Sequence, residues 1–193
     1  MHPVDFVRNW TGVTRTERSA AQEHFRQLCR VLGVPTPADV DKDGSTYTFE
    51  KGAAKSTGGQ GWADVWYRGH FAWEYQGPNK DLGKAYDQLL RYKDHVENPP
   101  LLVVADLDRI VVRTNFTNTA QDEHVIDLGT FTDGENIDML RRMWTDPMSP
   151  RTSSCRGCWP STASGRRHRR RRGGLHRARQ RDELALDRAA CPP

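Results

Sequence analysis

Residues 101–106 read LLVVAD, an unbroken apolar run bounded by Pro99 and Pro100 on one side and an aspartate on the other. The length suits a strand, and the absence of alternation means that neither side of it faces water. A strand hidden on both faces belongs inside a sheet with helices packed on it. The rest of the chain supplies those partners. Residues 109–116 (RIVVRTNF) and 124–128 read as further strands, and 45–50 (STYTFE) as another, with Tyr47 and Phe49 facing one way. Residues 1–34 read as helical. Within 16–32, Ala21, Phe25, Leu28, Cys29 and Leu32 fall at i, i+4, i+7, i+8 and i+11, one stripe of a helix. Gly33 suits a C-cap there, and Pro35 and Pro37 prevent continuation. Cys29 on that stripe reads as a small buried hydrophobe, and Glu17, Gln22 and His24 as solvated surface. Residues 35–44 read as a polar connection. Residues 81–92 (DLGKAYDQLLRY) form a helix with Leu82, Ala85, Tyr86 and Leu89 as its stripe and Asn79 or Asp81 as its cap. Residues 137–144 predict a short helix. The expectation is an α/β fold, a mixed central sheet flanked by helices, followed by an irregular basic tail.

Between the first strand and the helix at 81–92 lies GWADVWYRGHFAWEYQGPNK, which reads as a hairpin of 61–67 and 70–77. On its second strand Phe71, Trp73 and Tyr75 share one face, the natural core side. His70, Ala72, Glu74 and Gln76 share the other, and on the first strand Asp64 lies with Trp62 and Trp66. The turn decides whether the two acids meet. A two-residue loop at Arg68-Gly69 puts Asp64 and Glu74 on opposite faces. A three-residue loop at 67–69 pairs Asp64 with Ala72 and leaves Glu74 a diagonal neighbour on the same face, with Gly69 in the left-handed place of a bulged turn.

Two carboxylates from adjacent strands suit Mg²⁺, which prefers oxygen ligands and keeps several waters. Such a metal neutralises charge on a phosphodiester under attack and lowers the pKa of water. A positive side chain beside the second carboxylate would help; Gln76 donates a hydrogen bond but carries no charge. A neighbouring lysine could substitute for it by position, with Lys51, Lys55 and Lys80 as candidates.

The formal net charge of +4 averages two unlike regions. Residues 1–150 hold 17 Lys and Arg against 22 Asp and Glu, whereas 151–193 hold 12 Arg, no Lys and 3 acids. The basic balance therefore belongs to the tail and does not make the folded part a polyanion binder. From about Met148 the apolar periodicity stops and Arg comes in runs. A disordered nucleic-acid-binding tail and a change of reading frame near codon 147 both account for this; the abruptness and the lack of Lys favour the frame change. Under either, 148–193 should not form a packed core. The run 166–172, interrupted only by His168, would bind any polyanion in a salt-dependent way. Cys155 and Cys158 with His168 and His176 miss the usual zinc spacings. The Gly-rich 51–60 (KGAAKSTGGQ) lacks the phosphate-loop spacing. The start, MHPVDFVRNW, has no apolar run of a signal peptide, and no segment approaches the roughly 18 apolar residues of a membrane span. The expected location is the cytoplasm, with no membrane partner.

The runs GWADVWYRGHFAWEYQGPNKDLGKAYDQLLRY and ENPPLLVVADLDRIVVRTNFTNT resemble the N-terminal region of MmeI-like restriction-modification enzymes, as does TDGENIDMLRRMWTDP after them. The resemblance covers about residues 1–147. Enzymes of that family join a PD-(D/E)xK nuclease to an adenine-specific, S-adenosylmethionine-dependent DNA methyltransferase of the class I fold. It implies DNA as partner, Mg²⁺ as cofactor, Asp64 and Glu74 as metal ligands, and a catalytic set of Asp64, Glu74 and Gln76, with Gln76 where the family usually has Lys. It also implies that the chain is an N-terminal piece whose methyltransferase half is missing, with no S-adenosylmethionine site; the remainder of a split system is then a possible partner. Asn98-Pro99-Pro100-Leu101 mimics the methyltransferase motif but has Leu for the aromatic residue and precedes a strand, so it reads as a turn. The resemblance thus implies a DNA endonuclease weakened at Gln76. The alternatives are a non-catalytic DNA-binding or assembly module and the product of a broken methyltransferase gene.

Overall fold

The computed structural model describes residues 1–13, 17–52, 63–77 and 80–149. In chain order these form α1 (Pro3–Trp10), α2 (Glu17–Leu32), α3 (Pro37–Val40), β1 (Tyr47–Lys51), β2 (Ala63–Tyr67), β3 (Phe71–Tyr75), α4 (Leu82–Tyr92), β4 (Leu101–Ala105), β5 (Arg109–Thr114), β6 (Glu123–Asp127) and α5 (Gly134–Thr145). A 3₁₀ turn, Lys93–Val96, follows α4, and another, Leu128–Thr130, follows β6.

Local chemistry sets the boundaries. Pro3 occupies the first turn of α1, where a missing N–H costs nothing, and the His2 ring accepts from the Val4 N–H at 3.3 Å. The α2 stripe behaves as its spacing predicts: Phe25, Leu28 and Cys29 are fully buried and Leu32 nearly so. Gly33, at φ +66°, closes the helix while the Val34 N–H returns to the Cys29 carbonyl at 3.0 Å, the six-to-one bond of a Schellman cap. Asp81 caps α4 by accepting from the Gly83 N–H at 2.8 Å. The polar connection 35–44 contains a helix that periodicity could not show. In α3 the Thr36 N–H donates to Asp39 at 2.8 Å, a capping interaction that sustains one turn. Asp41 then gathers the N–H groups of Gly44 and Tyr47 at 2.9 and 2.7 Å and leads the chain into β1.

Among the described residues the strands make one mixed six-stranded sheet in sequence order. Neighbours are antiparallel except β3 and β4, which are parallel and joined through α4. That crossover puts β4 inside the sheet, and all five of its residues are buried, as an unbroken apolar run requires.

The two faces differ in cover. Helices α1, α2 and α5 bury one, where Phe6, Phe25, Trp144 and Met143 meet Phe71, Trp73, Val103 and Ile110. Among the described residues α4 and the 3₁₀ turn after it lie on the other, with Ala85, Leu89 and Val96 packed on Trp66, Ala72, Leu102 and Val104. No helix among the described residues is long and apolar enough to cross a membrane. The basic tail lies outside the described residues apart from Met148 and Ser149, as do the cysteines and histidines weighed there as zinc ligands.

Candidate functional site

The hairpin carries a three-residue loop, but one residue later than the sequence reading placed it. Tyr67 pairs with Phe71, Trp66 with Ala72 and Val65 with Trp73, so the loop is Arg68, Gly69 and His70. The His70 N–H donates to the Tyr67 carbonyl at 3.0 Å, and Gly69 sits at φ +70°. A turn of this kind favours a glycine at its third position, because a positive φ is a conformation that other L residues seldom adopt. Stacking of the His70 ring on Tyr67, with centroids 3.9 Å apart, adds to it. The correction matters for the acids. One step beyond Val65 and Trp73, the register sets Asp64 opposite Glu74 rather than opposite Ala72.

The face is equally defined. Trp66 and Ala72 lie in the cluster under α4, and alternation puts Asp64 with Trp66 and Glu74 with Ala72. Both acids are half-buried. The carboxylate of Asp64 accepts from the Tyr75 N–H at 2.7 Å, crossing to the neighbouring strand. That of Glu74 accepts from the Gln88 side-chain amide on α4 at 3.4 Å. Gln88 follows Ala85 by one helical turn and belongs to the sheet-facing side of α4, so the helix spacing could have singled it out. An ionised carboxylate has about four acceptor positions, so neither hydrogen bond prevents it from ligating a cation.

Gln76 follows β3 directly. Its N–H donates to the Ala105 carbonyl at 2.7 Å, extending the β3–β4 pairing, and the residue is half-buried. Asp64, Glu74 and Gln76 are thus brought to one region by β2, β3 and the parallel pairing with β4. Among the described residues no three of His, Cys, Asp and Glu form a group able to hold a metal ion. Asp64 and Glu74 are therefore a pair, a donor set that Mg²⁺ can complete with water. No family model, curated protein or solved structure matches this chain.

The opposite face corrects one expectation outright. His24 is buried, not solvated, at 1% exposure. Its Nδ1 lies 2.8 Å from the Tyr75 hydroxyl, and the Phe6 and Trp10 rings flank it at 5.0 and 4.9 Å. Burial pushes the imidazole pKa down to about 3 and the Tyr75 hydroxyl well above its ordinary value. Cys29, pushed up to about 12 chiefly by burial, faces the Tyr47 hydroxyl. These groups satisfy one another inside a closed core and are not placed to meet a substrate.

A second polar region lies where β3 and β4 end, an open cleft of about 570 Å³ lined in part by Lys80, Asp81, Asp106, Asp108, Arg109 and Asp127. Its charges serve the fold. Arg109 pairs with Asp127 at 2.7 Å, Asp106 accepts from the N–H groups of Asp108 and Arg109 at 2.8 and 2.7 Å, and Asp81 caps α4. Asn98-Pro99 is a turn, with Glu97 and Asn98 at φ +62° and +46° and the Asn115 amide donating to the Pro99 carbonyl at 2.9 Å. Lys55 lies outside the described residues.

Proposed function

We propose that residues 1–147 form the DNA-cleaving domain of a restriction-modification enzyme of the PD-(D/E)xK, MmeI-like type. The observation that supports this reading is the β2–β3 register, which, continued one step past its last pair of Val65 with Trp73, brings Asp64 opposite Glu74 on the face under α4. Asp64 and Glu74 would hold Mg²⁺, whose chemistry is to neutralise charge on the phosphodiester and to make water a better nucleophile. The protein contributes a fixed pair of carboxylates. Asp64 is held by the Tyr75 N–H and Glu74 by Gln88, so neither has to be ordered when substrate arrives. The reaction adds water across one ester bond: water oxygen bonds phosphorus, one P–O ester bond breaks, and the departing oxygen takes up a proton to leave as a hydroxyl. Gln76 can donate a hydrogen bond to a phosphate oxygen but brings no charge to it.

The neutral side chain at Gln76 also favours a second reading, a DNA-binding or assembly module that keeps the nuclease fold without cutting. Nicking of supercoiled plasmid in Mg²⁺ separates the two, measured on the natural protein and on Gln76→Lys. Cleavage by either protein that disappears in Glu74→Gln supports the nuclease. Duplex binding without nicking by either supports the module and rejects the nuclease.

A further inference from the structure

Strand β1 contains a local reversal that places a cation on the acid face. Tyr47 and Phe49 face the core under α1, α2 and α5, and simple alternation would send Lys51 the same way and Glu50 the other. The backbone at Glu50 lies instead at φ +54°, in a region that non-glycine residues seldom adopt. No residue is inserted, since Phe49 still pairs with Val65 and Lys51 with Ala63, but Glu50, which that register sets opposite Asp64, drops out of the ladder. The two side chains exchange faces. Glu50 accepts from the Gln22 amide of α2 at 3.2 Å, while the Lys51 ammonium lies 3.6 Å from the centre of the Trp66 ring. Trp66 belongs to the face under α4, two residues from Asp64 and opposite Ala72, which is itself two residues from Glu74.

The ring is a fixed platform. Trp66 is fully buried, and its indole N–H donates to the Val96 carbonyl at 2.8 Å. Arg68 also approaches it, 5.4 Å from the ring centre, but that guanidinium is engaged by Glu97 through contacts of 2.8 to 3.2 Å. Among the described residues Lys51 forms no ion pair, and an aromatic face attracts an ammonium without neutralising it. Lys80, by contrast, lines the cleft where β3 and β4 end, among Asp81, Asp106, Asp108 and Asp127. Strained backbone that survives in a folded protein is maintained by its surroundings, and such strain concentrates where a side chain must be aimed.

We infer that Lys51 delivers, from β1, the positive charge that Gln76 lacks, and that its ammonium contacts the phosphate bound at Asp64 and Glu74. The inference rests on the nuclease reading above, and the ligand is a nucleic-acid phosphodiester. The lysine stabilises negative charge on a non-bridging phosphate oxygen; it gains and loses no proton.

The test compares the natural chain with Lys51→Met, Lys51→Arg, and Lys51→Met combined with Gln76→Lys. Plasmid nicking in Mg²⁺ should fall about 10²–10³-fold in Lys51→Met, the usual cost of losing one preorganised electrostatic group. It should recover in part in Lys51→Arg and in the double variant, where the charge returns from β3. Binding of a short duplex in Ca²⁺, followed by fluorescence anisotropy against salt, should lose about 0.9 from its log–log slope in Lys51→Met, one phosphate contact. A merely structural lysine would move neither the slope nor the rescue. Nicking and salt slope unchanged in Lys51→Met, with Glu74→Gln inactive, would overturn the role of Lys51 and leave the nuclease standing. No nicking by the natural chain or by Gln76→Lys would overturn both.

Discussion

The two faces of the sheet are built from the same strands and have opposite characters. Under α1, α2 and α5 several polar groups close on one another, His24 on Tyr75, Trp144 Nε1 on the Tyr47 hydroxyl at 3.0 Å and Cys29 beside the same hydroxyl, while the buried Trp73 indole N–H finds no partner among the described residues. Under α4, Asp64 and Glu74 remain half-buried and Lys51 lies across an indole. Both covers exclude water from the middle of the sheet, since Ala72, Leu102 and Val104 are as buried as Phe71 and Val103, but the face under α4 leaves its two acids half-buried. A buried polar group must then be satisfied internally, whereas a half-buried carboxylate keeps its charge and its solvent contact. The thinly covered face is therefore where this molecule can do chemistry on something that arrives from outside.

Four measurements break or sharpen that contrast. Phe25→Ala removes a ring that touches Phe49, Phe71, Trp73 and Trp144 in the sealed core, and should cost about 3–5 kcal/mol of unfolding free energy in urea titration. Leu89→Ala on the thin face should fall toward the lower end of about 2–5 kcal/mol, because a single covering helix can settle into the gap. If Leu89 proved the costlier of the two, the contrast in cover would fail.

His24 makes a third test, through pH. The folded state holds the imidazole neutral, with its pKa lowered from 6.5 to about 3 by burial, while the unfolded chain protonates it near 6.5. The unfolded state thus binds the extra proton between those values. The contribution of His24 is complete above pH 6.5 and is lost as pH falls toward 3, by about 1.4 kcal/mol per pH unit. His24→Gln cannot titrate, so its stability should fall less steeply over that window. Equal slopes would place the ring in water after all. The smallest effect belongs to Glu74→Gln, which keeps the shape of a half-buried side chain and should change stability by less than about 1 kcal/mol. A larger loss would make Glu74 a structural acid of the kind found on the sealed face.

Much of this was legible beforehand. The LLVVAD run announced β4, the stripe from Ala21 to Leu32 announced α2, and the choice of Asn79 or Asp81 as cap, settled on Asp81, announced the start of α4. Each depends on neighbours within a few residues, which is the range over which periodicity and capping act. His24 was misjudged because its polar ring was read as exposed, although it falls three residues after Ala21 and four before Leu28, on the apolar stripe. Tyr75, Phe6 and Trp10, arriving from other elements, supply the partners that let the ring stay there. The short α3 was missed because one turn is too brief for an apolar stripe, although its capping residues stood in the sequence.

The sequence by itself determined which residues could take part in a site: two acids on two aromatic-rich strands, a glutamine after the second, and a helix to follow. Tertiary structure decided whether they meet. A side chain on a strand changes face with every residue, so a turn displaced by one position, or one residue with its φ reversed, reassigns what lies beside what. The Arg68–Gly69–His70 turn fixed a register that, carried one step past Val65 and Trp73, brings Asp64 opposite Glu74, and the reversed φ at Glu50 moved Lys51 onto their face. Neither result is encoded in spacing along the chain, because both are fixed by backbone angles that only the packed sheet selects.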